Sequence, residues 1–203
     1  MFDAEITGLE VAAARFFRSY EDHCSTPNSD TLLILLDACQ SLNNRMNKAI
    51  KQSFFNSNEF AALNALHNLF QHHQGLLEQV KTIPILPEMP LYSDLMTMCL
   101  VPKEVVERAI NGERQYVNKP KIRSALKWYG GLVNLNPALF NFAVIVFEKC
   151  IEAKIIVDDA AWGRFAEVYN TESKSNQTHF VNGDIVCRSA DVDAILNSIY
   201  VKH

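Results

Sequence analysis

The sequence predicts a mainly α-helical protein of about eight helices with one short C-terminal β-hairpin. Apolar residues recur every three or four positions along most of the chain, which is the spacing of one helix face. Only seven glycines and seven prolines interrupt the 203 residues. With 48% hydrophobic residues the chain has ample material for a core, as one large helical domain or two small lobes.

Three helices are predicted in the N-terminal half, residues 1–83. The first begins after Asp3, whose carboxylate can cap free backbone N–H groups. The second runs from Asp30 to Phe54 and carries its apolar residues on one face. The third begins after Asn56, with a glutamate three residues later as in a capping box.

A proline-rich connector is predicted at residues 84–92, in the stretch "TIPILPEMPLY". Each of its three prolines removes a backbone donor and favours extended geometry in the preceding residue, so no helix can cross it. The connector leads into a compact helical half, residues 93–203. We expect the two halves to share one continuous core.

Shorter helices are predicted in the second half, near residues 93–100, from Pro102 to Asn111, and from Asn118 to the glycine pair Gly130-Gly131. The next helix starts at Asn136-Pro137. It contains the run "FAVIVF", which is apolar almost all round and therefore indicates the centre of the core.

The remaining elements are one capped helix, one hairpin and a final helix. Asp158 can cap the helix that carries Trp162 and neighbouring aromatics. The hairpin is predicted near 178–188, because Asn182-Gly183 lies between two β-prone runs and favours a two-residue turn. The final helix is predicted at about 190–200.

The five cysteines are odd in number, far apart and never in a CxxC pair. They predict reduced thiols rather than a disulfide framework or a zinc site. The first ten residues are acidic where a signal peptide would be basic, and no apolar run approaches the length of about 18 residues that a membrane span needs. We therefore expect a cytoplasmic protein without a membrane segment, a metal or another cofactor.

One segment is basic in a chain of net charge −4. Residues 103–127 hold seven cations and three carboxylates, while the rest of the chain sums to −8. Cations beside aromatic rings are what phosphate contacts and base stacking require. The candidate nucleic-acid-binding residues are Arg114, Lys119, Lys121, Arg123, Lys127 and Trp128.

The same segment also fits an ordinary capped helix with a solvated face. Arg123 and Lys127 lie four residues apart on one side, opposite an apolar stripe of Ile122 and Leu126. A helix-turn-helix is not predicted, because the stretch around Asn118 and its following lysine and proline interrupts the second helix.

The sequence contains no catalytic motif that we identify. It has no glycine-rich phosphate loop, no GxSxG and no clustered Cys–His pair. His72 lies five residues after His67 and directly before His73, whereas helical metal ligands are normally four residues apart. Arg18 and His23 are similar, in spacing only, to the Arg–His pair of HEPN-type ribonucleases, which would act on the scissile phosphate and the ribose hydroxyl.

Three functional hypotheses follow. The first is a non-enzymatic regulatory or adaptor protein that acts through protein–protein contacts, since helical surfaces without a catalytic constellation often serve that purpose. The second is a nucleic-acid-binding regulator that uses the basic segment 114–127. The third is a HEPN-like ribonuclease. We expect a protein partner, with nucleic acid and a second copy of the chain as the alternative partners.

Overall fold

The computed structural model describes residues 2–85, 91–114, 118–175 and 177–187. Within these ranges the chain forms eight α-helices, so the prediction of a mainly α fold is confirmed. The helices are α1 (Phe2–Ser25), α2 (Ser29–Ile50), α3 (Asn58–His72), α4 (Gln74–Leu77), α5 (Lys103–Gly112), α6 (Asn118–Ala125), α7 (Asn136–Glu152) and α8 (Ala160–Lys174).

Six short strands complete the described fold. They are β1 (Lys81–Pro84), β2 (Leu91–Ser93), β3 (Thr97–Pro102), β4 (Lys127–Tyr129), β5 (Leu132–Asn134) and β6 (Ile185–Cys187). Four of them form an antiparallel sheet in the order β1-β3-β5-β4, and β2 pairs antiparallel with β6. The helix predicted near 93–100 is therefore wrong, because the second half of that segment belongs to strand β3, between β1 and β5.

The hairpin occurs at a different place from the one predicted. Residues 177–184 form no strand, and β6 pairs with β2 instead of with a neighbour across Asn182-Gly183. Asp94 Oδ2 accepts the backbone N–H groups of Asn182 and Gly183 at 2.7 and 3.1 Å, which holds this turn against another part of the chain. The observed two-residue hairpin joins β4 to β5 through Gly130-Gly131, where Gly130 has φ +57°.

Side-chain caps define where several helices begin. Asn28 Oδ1 accepts Thr31 N at 2.8 Å and Thr31 Oγ1 accepts Asn28 N at 3.1 Å, a reciprocal capping box for α2. Ser57 caps α3 and Asp159 caps α8, each one residue after the cap predicted from sequence. The helix predicted at 190–200 lies outside the described residues.

The core surrounds α7, as the apolar run predicts. Phe142 is fully buried, and its ring meets those of Phe16, Phe54 and Phe60 at centroid distances of 5.6, 5.1 and 5.6 Å. A single hydrophobic cluster contains residues from both sides of the 84–92 segment, from Leu9 to Ala161. Among the described helices none is long and apolar enough to cross a membrane.

Candidate functional site

Arg123 of the basic segment is held by an ion pair. Its two terminal guanidinium nitrogens donate to the carboxylate oxygens of Glu107 on α5 at 2.7 and 2.6 Å. This fork-to-fork hydrogen bonding, with the arginine charge, holds the pKa of Glu107 below its usual range. The guanidinium carbon lies 5.5 Å from the centre of the Trp128 ring, and Trp128 Nε1 donates to the Arg123 carbonyl at 2.9 Å. Both side chains thus have intramolecular partners.

Lys127 is also paired with a carboxylate. Its Nζ forms an ion pair with Asp184, 57 residues along the chain and just before β6. Two of the five predicted phosphate-binding cations therefore have their charge compensated within the protein. A phosphate would have to displace a carboxylate to bind either of them.

Arg114 and Lys121 lie elsewhere, on the wall of a cleft of about 870 Å³. The cleft is enclosed by the C-terminal part of α3, the end of α5, the start of α6 and the loop before α3. Its lining consists of Phe55, Asn56, Asn64, Ala65, Asn68, Leu69, His72, His73, Arg108, Ala109, Gly112, Glu113, Arg114, Asn118 and Lys121. We refer to it below as the α3–α5–α6 cleft. Its volume lies in the range of about 300–1,000 Å³ that is usual for ligand sites.

Three cations line the α3–α5–α6 cleft, and we call them the cationic wall: Arg108, Arg114 and Lys121. Neither Arg114 nor Lys121 makes a side-chain hydrogen bond or ion pair with a described residue, and Glu113 is the one carboxylate in the lining. Lys119 is half-buried and is not part of the lining. The lining of the cleft therefore contains only two of the predicted residues, Arg114 and Lys121.

Arg108 contacts a histidine rather than a carboxylate. One of its terminal nitrogens lies 3.0 Å from His73 Nε2. No carboxylate of a described residue forms an ion pair with Arg108. Arg108 consequently keeps its full positive charge at the cleft, in contrast to Arg123, whose charge is matched by Glu107.

Asparagines of α3 and of the loop before it also line the cleft. Asn64 and Asn68 lie on α3, and Asn56 lies in the loop before it; we call these three the amide wall. None of the three makes a side-chain hydrogen bond with a described residue. Asn64 Oδ1 is buried and has no hydrogen-bond partner in the described part of the chain. Asn56 and Asn68, in contrast, are exposed, so a ligand in the cleft can reach their amide groups.

Sequence reasoning missed the amide wall and Arg108, although a signal for the α3 face exists. Asn64, Asn68 and His72 are four residues apart and therefore share one side of the helix. His72 and His73 were considered only as metal ligands, whereas here they line the cleft. In the described ranges no group of three or more His, Cys, Asp or Glu residues is placed to hold a metal ion.

Arg18 and His23 have separate contacts. His23 is 2% exposed, its Nδ1 lies 3.0 Å from Thr31 Oγ1, and burial lowers its pKa to about 4. Arg18 Nε lies 3.6 Å from Asp159 Oδ2 on the α8 side. His23 thus connects the end of α1 to the start of α2, while Arg18 connects α1 to the cap of α8.

A Ser–His–Glu chain joins the segment after α8 to that helix. His179 Nε2 lies 3.0 Å from Ser173 Oγ, and its Nδ1 lies 2.7 Å from Glu172 Oε2. The Ser173 hydroxyl also donates to the Tyr169 carbonyl at 3.0 Å, and that donation uses its single proton. The serine therefore does not donate to His179 as a catalytic nucleophile would. With the His179 ring stacked 3.7 Å from Tyr169, the chain fixes residues 177–180 on α8.

Comparisons with protein-family models, curated proteins and solved structures gave no match to this chain.

Proposed function

We propose that the protein is a non-enzymatic binding protein that takes a phosphate-bearing ligand in the α3–α5–α6 cleft. The observation that carries this proposal is the convergence of the cationic wall on one cleft without compensating ion pairs among the described residues. Phosphate groups are recognised by such arginine and lysine side chains through charge-assisted hydrogen bonds. The proposal keeps the nucleic-acid hypothesis for Arg114 and Lys121 and adds Arg108.

The charge distribution supports a single binding place. The cleft lining has three cations and one carboxylate, a sum of +2, whereas the whole chain has a formal charge of −4. The remainder therefore sums to −6 and repels a polyanion. Attraction is restricted to the cleft, and it falls as salt screens the charges.

Calorimetric titration with a short inorganic polyphosphate chain, at about 50 mM salt, tests the proposal because this probe has charge but no base. The double variant Arg114→Ala/Lys121→Ala is expected to weaken binding at least tenfold. Its matched control is Arg15→Ala/Lys48→Ala, which removes the same charge from exposed positions on α1 and α2. The control is expected to bind like the wild type.

Two results contradict the proposal. One is no detectable polyphosphate binding by the wild type at about 50 mM salt. The other is an equal loss of affinity in both double variants, because that would assign binding to net charge rather than to the cleft. Thermal melts of all three proteins check that the substitutions leave the fold intact; exposed charges contribute little to stability.

A second candidate function, contact with a protein partner, is supported by an apolar groove between α1, α7 and α8. The groove has a volume of about 250 Å³, and its walls include Phe140, Val144 and Phe165. Val168 at its edge is 58% exposed, which is unusual for a residue beside other apolar side chains. Such a groove suits an apolar side chain of a partner.

Val168→Glu tests this second candidate. A protein that copurifies from the native host with the wild type is expected to be lost with this variant and retained with Val11→Glu, an equally exposed valine on α1. Retention with Val168→Glu would contradict a role of the groove in that contact. Sedimentation of the purified protein shows whether the chain associates with itself, and so distinguishes self-association from contact with a different partner.

A further inference from the structure

The amide wall has a chemistry that phosphate alone does not match. Asn56 and Asn68 are exposed in the cleft lining, and each side chain has an amide oxygen and an amide nitrogen without a partner among the described residues. Phosphate oxygens at neutral pH are acceptors, so they can pair with the amide nitrogens but cannot donate to the amide oxygens. A ligand that satisfies those oxygens must carry an N–H or O–H group. The amino and ring N–H groups of nucleobases are such donors, and an asparagine side chain can pair with a base edge through both its oxygen and its nitrogen.

The aromatic ring of Phe55 lines the same cleft. Phe55 is 51% exposed although it is a large apolar residue. Its ring is held in a T-shaped contact with the buried Phe60, at a centroid distance of 5.3 Å. About half of the Phe55 surface stays exposed beside this contact. Exposed aromatic rings beside cations are the surfaces on which unpaired bases stack.

We propose that the α3–α5–α6 cleft binds single-stranded nucleic acid, with phosphates on the cationic wall and a base on Phe55 and the amide wall. This inference rests on the proposed function, because it requires the cleft to attract phosphate. A base must be unpaired to stack on Phe55 while its edge meets Asn68. The negative charge of the remaining surface opposes an extended duplex contact.

The experiment measures fluorescence anisotropy of labelled 12-nucleotide single strands, RNA and DNA, of mixed sequence. The double variant Phe55→Ala/Asn68→Ala is expected to weaken strand binding about fivefold or more, as loss of one stacked base does. Both residues are exposed, so the fold should be retained. The matched control is Tyr92→Ala/Asn170→Ala, which removes an exposed aromatic and an exposed amide elsewhere and should leave strand binding unchanged.

Polyphosphate binding separates this inference from the proposed function. Phe55→Ala/Asn68→Ala is expected to bind polyphosphate like the wild type, because the cationic wall is intact. Unchanged strand affinity in that variant, with polyphosphate bound normally, would overturn the base contact and leave the proposed function standing. Absence of polyphosphate binding in the wild type would overturn both.

Three competitors complete the test. The unlabelled strand is expected to displace the labelled one at least tenfold more effectively than its duplex, than adenosine monophosphate or than a poly-glutamate peptide of equal length. Equal competition by the duplex overturns the requirement for an unpaired base. Equal competition by the mononucleotide or by the acidic peptide assigns the cleft to that ligand and overturns the assignment to a strand.

Discussion

Acid should destabilise this protein through His23. The side chain is 2% exposed between α1 and α2, its Nε2 has no partner among the described residues, and desolvation lowers its pKa from 6.5 to about 4. Burial penalises the charged imidazolium, so the folded protein holds His23 neutral. Below pH 6.5 His23 binds a proton in the unfolded chain, whereas in the folded protein it stays neutral.

The sign and size of the effect follow from the two pKa values. His23 costs no stability above its unfolded pKa of 6.5, and stability is lost as the pH falls from there to about 4. The full difference between the two pKa values corresponds to about 3 kcal/mol of unfolding free energy, because each pKa unit is equivalent to about 1.4 kcal/mol. By pH 5 about 2 kcal/mol of stability should already be lost.

Urea unfolding at pH 7.5 and pH 5, for the wild type and His23→Gln, measures this loss. Glutamine can retain a hydrogen bond to Thr31 but does not titrate. All carboxylates and the other histidines are common to both proteins, so their contributions cancel. The wild type is expected to lose about 2 kcal/mol more than the variant between these pH values.

The reasoning would be refuted if both proteins lost the same stability between pH 7.5 and pH 5. It would also be refuted if NMR titration of the folded protein showed His23 protonating near pH 6.5, since its charged form would then be solvated. A variant that is less stable at both pH values by a constant amount would not count against it, because only the difference between the two pH values reports the proton.

Three further predictions concern packing, backbone strain and thiols. Phe147→Ala should cost about 3–5 kcal/mol in denaturant unfolding, since the ring is 4% exposed; a loss under about 1 kcal/mol would remove it from the core. Gly183→Ala should lower the melting temperature more than Gly130→Ala. Both glycines have positive φ, but only at Gly183 would a Cβ lie 2.3 Å from Pro137 Cγ. An equal drop in melting temperature for the two variants would contradict this contact. Iodoacetamide should label the exposed Cys24 before the three buried thiols, as peptide mass spectrometry would show; earlier labelling of a buried thiol would contradict the core assignment.

The sequence alone determined the helical class and most helix positions, because these depend on neighbouring residues. The apolar spacing of α2 and α7 and the polar starts of α2 and α8 are local features, and the structure places the starts of these helices within one or two residues of the prediction. The end of α2 was predicted less well, because the helix stops at Ile50 and not at Phe54. The helix predicted near 93–100 was wrong, because a short buried apolar run, such as the one in β3, is compatible with either a helix or a strand. This run is a strand because it pairs with β1 on one side and with β5 on the other.

Only the tertiary structure decided which cations of the basic segment are available. Arg123 meets Glu107 sixteen residues away, and Lys127 meets Asp184 fifty-seven residues away, so their neutralisation cannot be read from local spacing. The same packing brings Asn64 of α3 and Lys121 of α6 into the lining of one cleft. A helix face follows from the 3.6-residue period, but the partner of a charge depends on where the chain returns, and short-range pattern contains no such information.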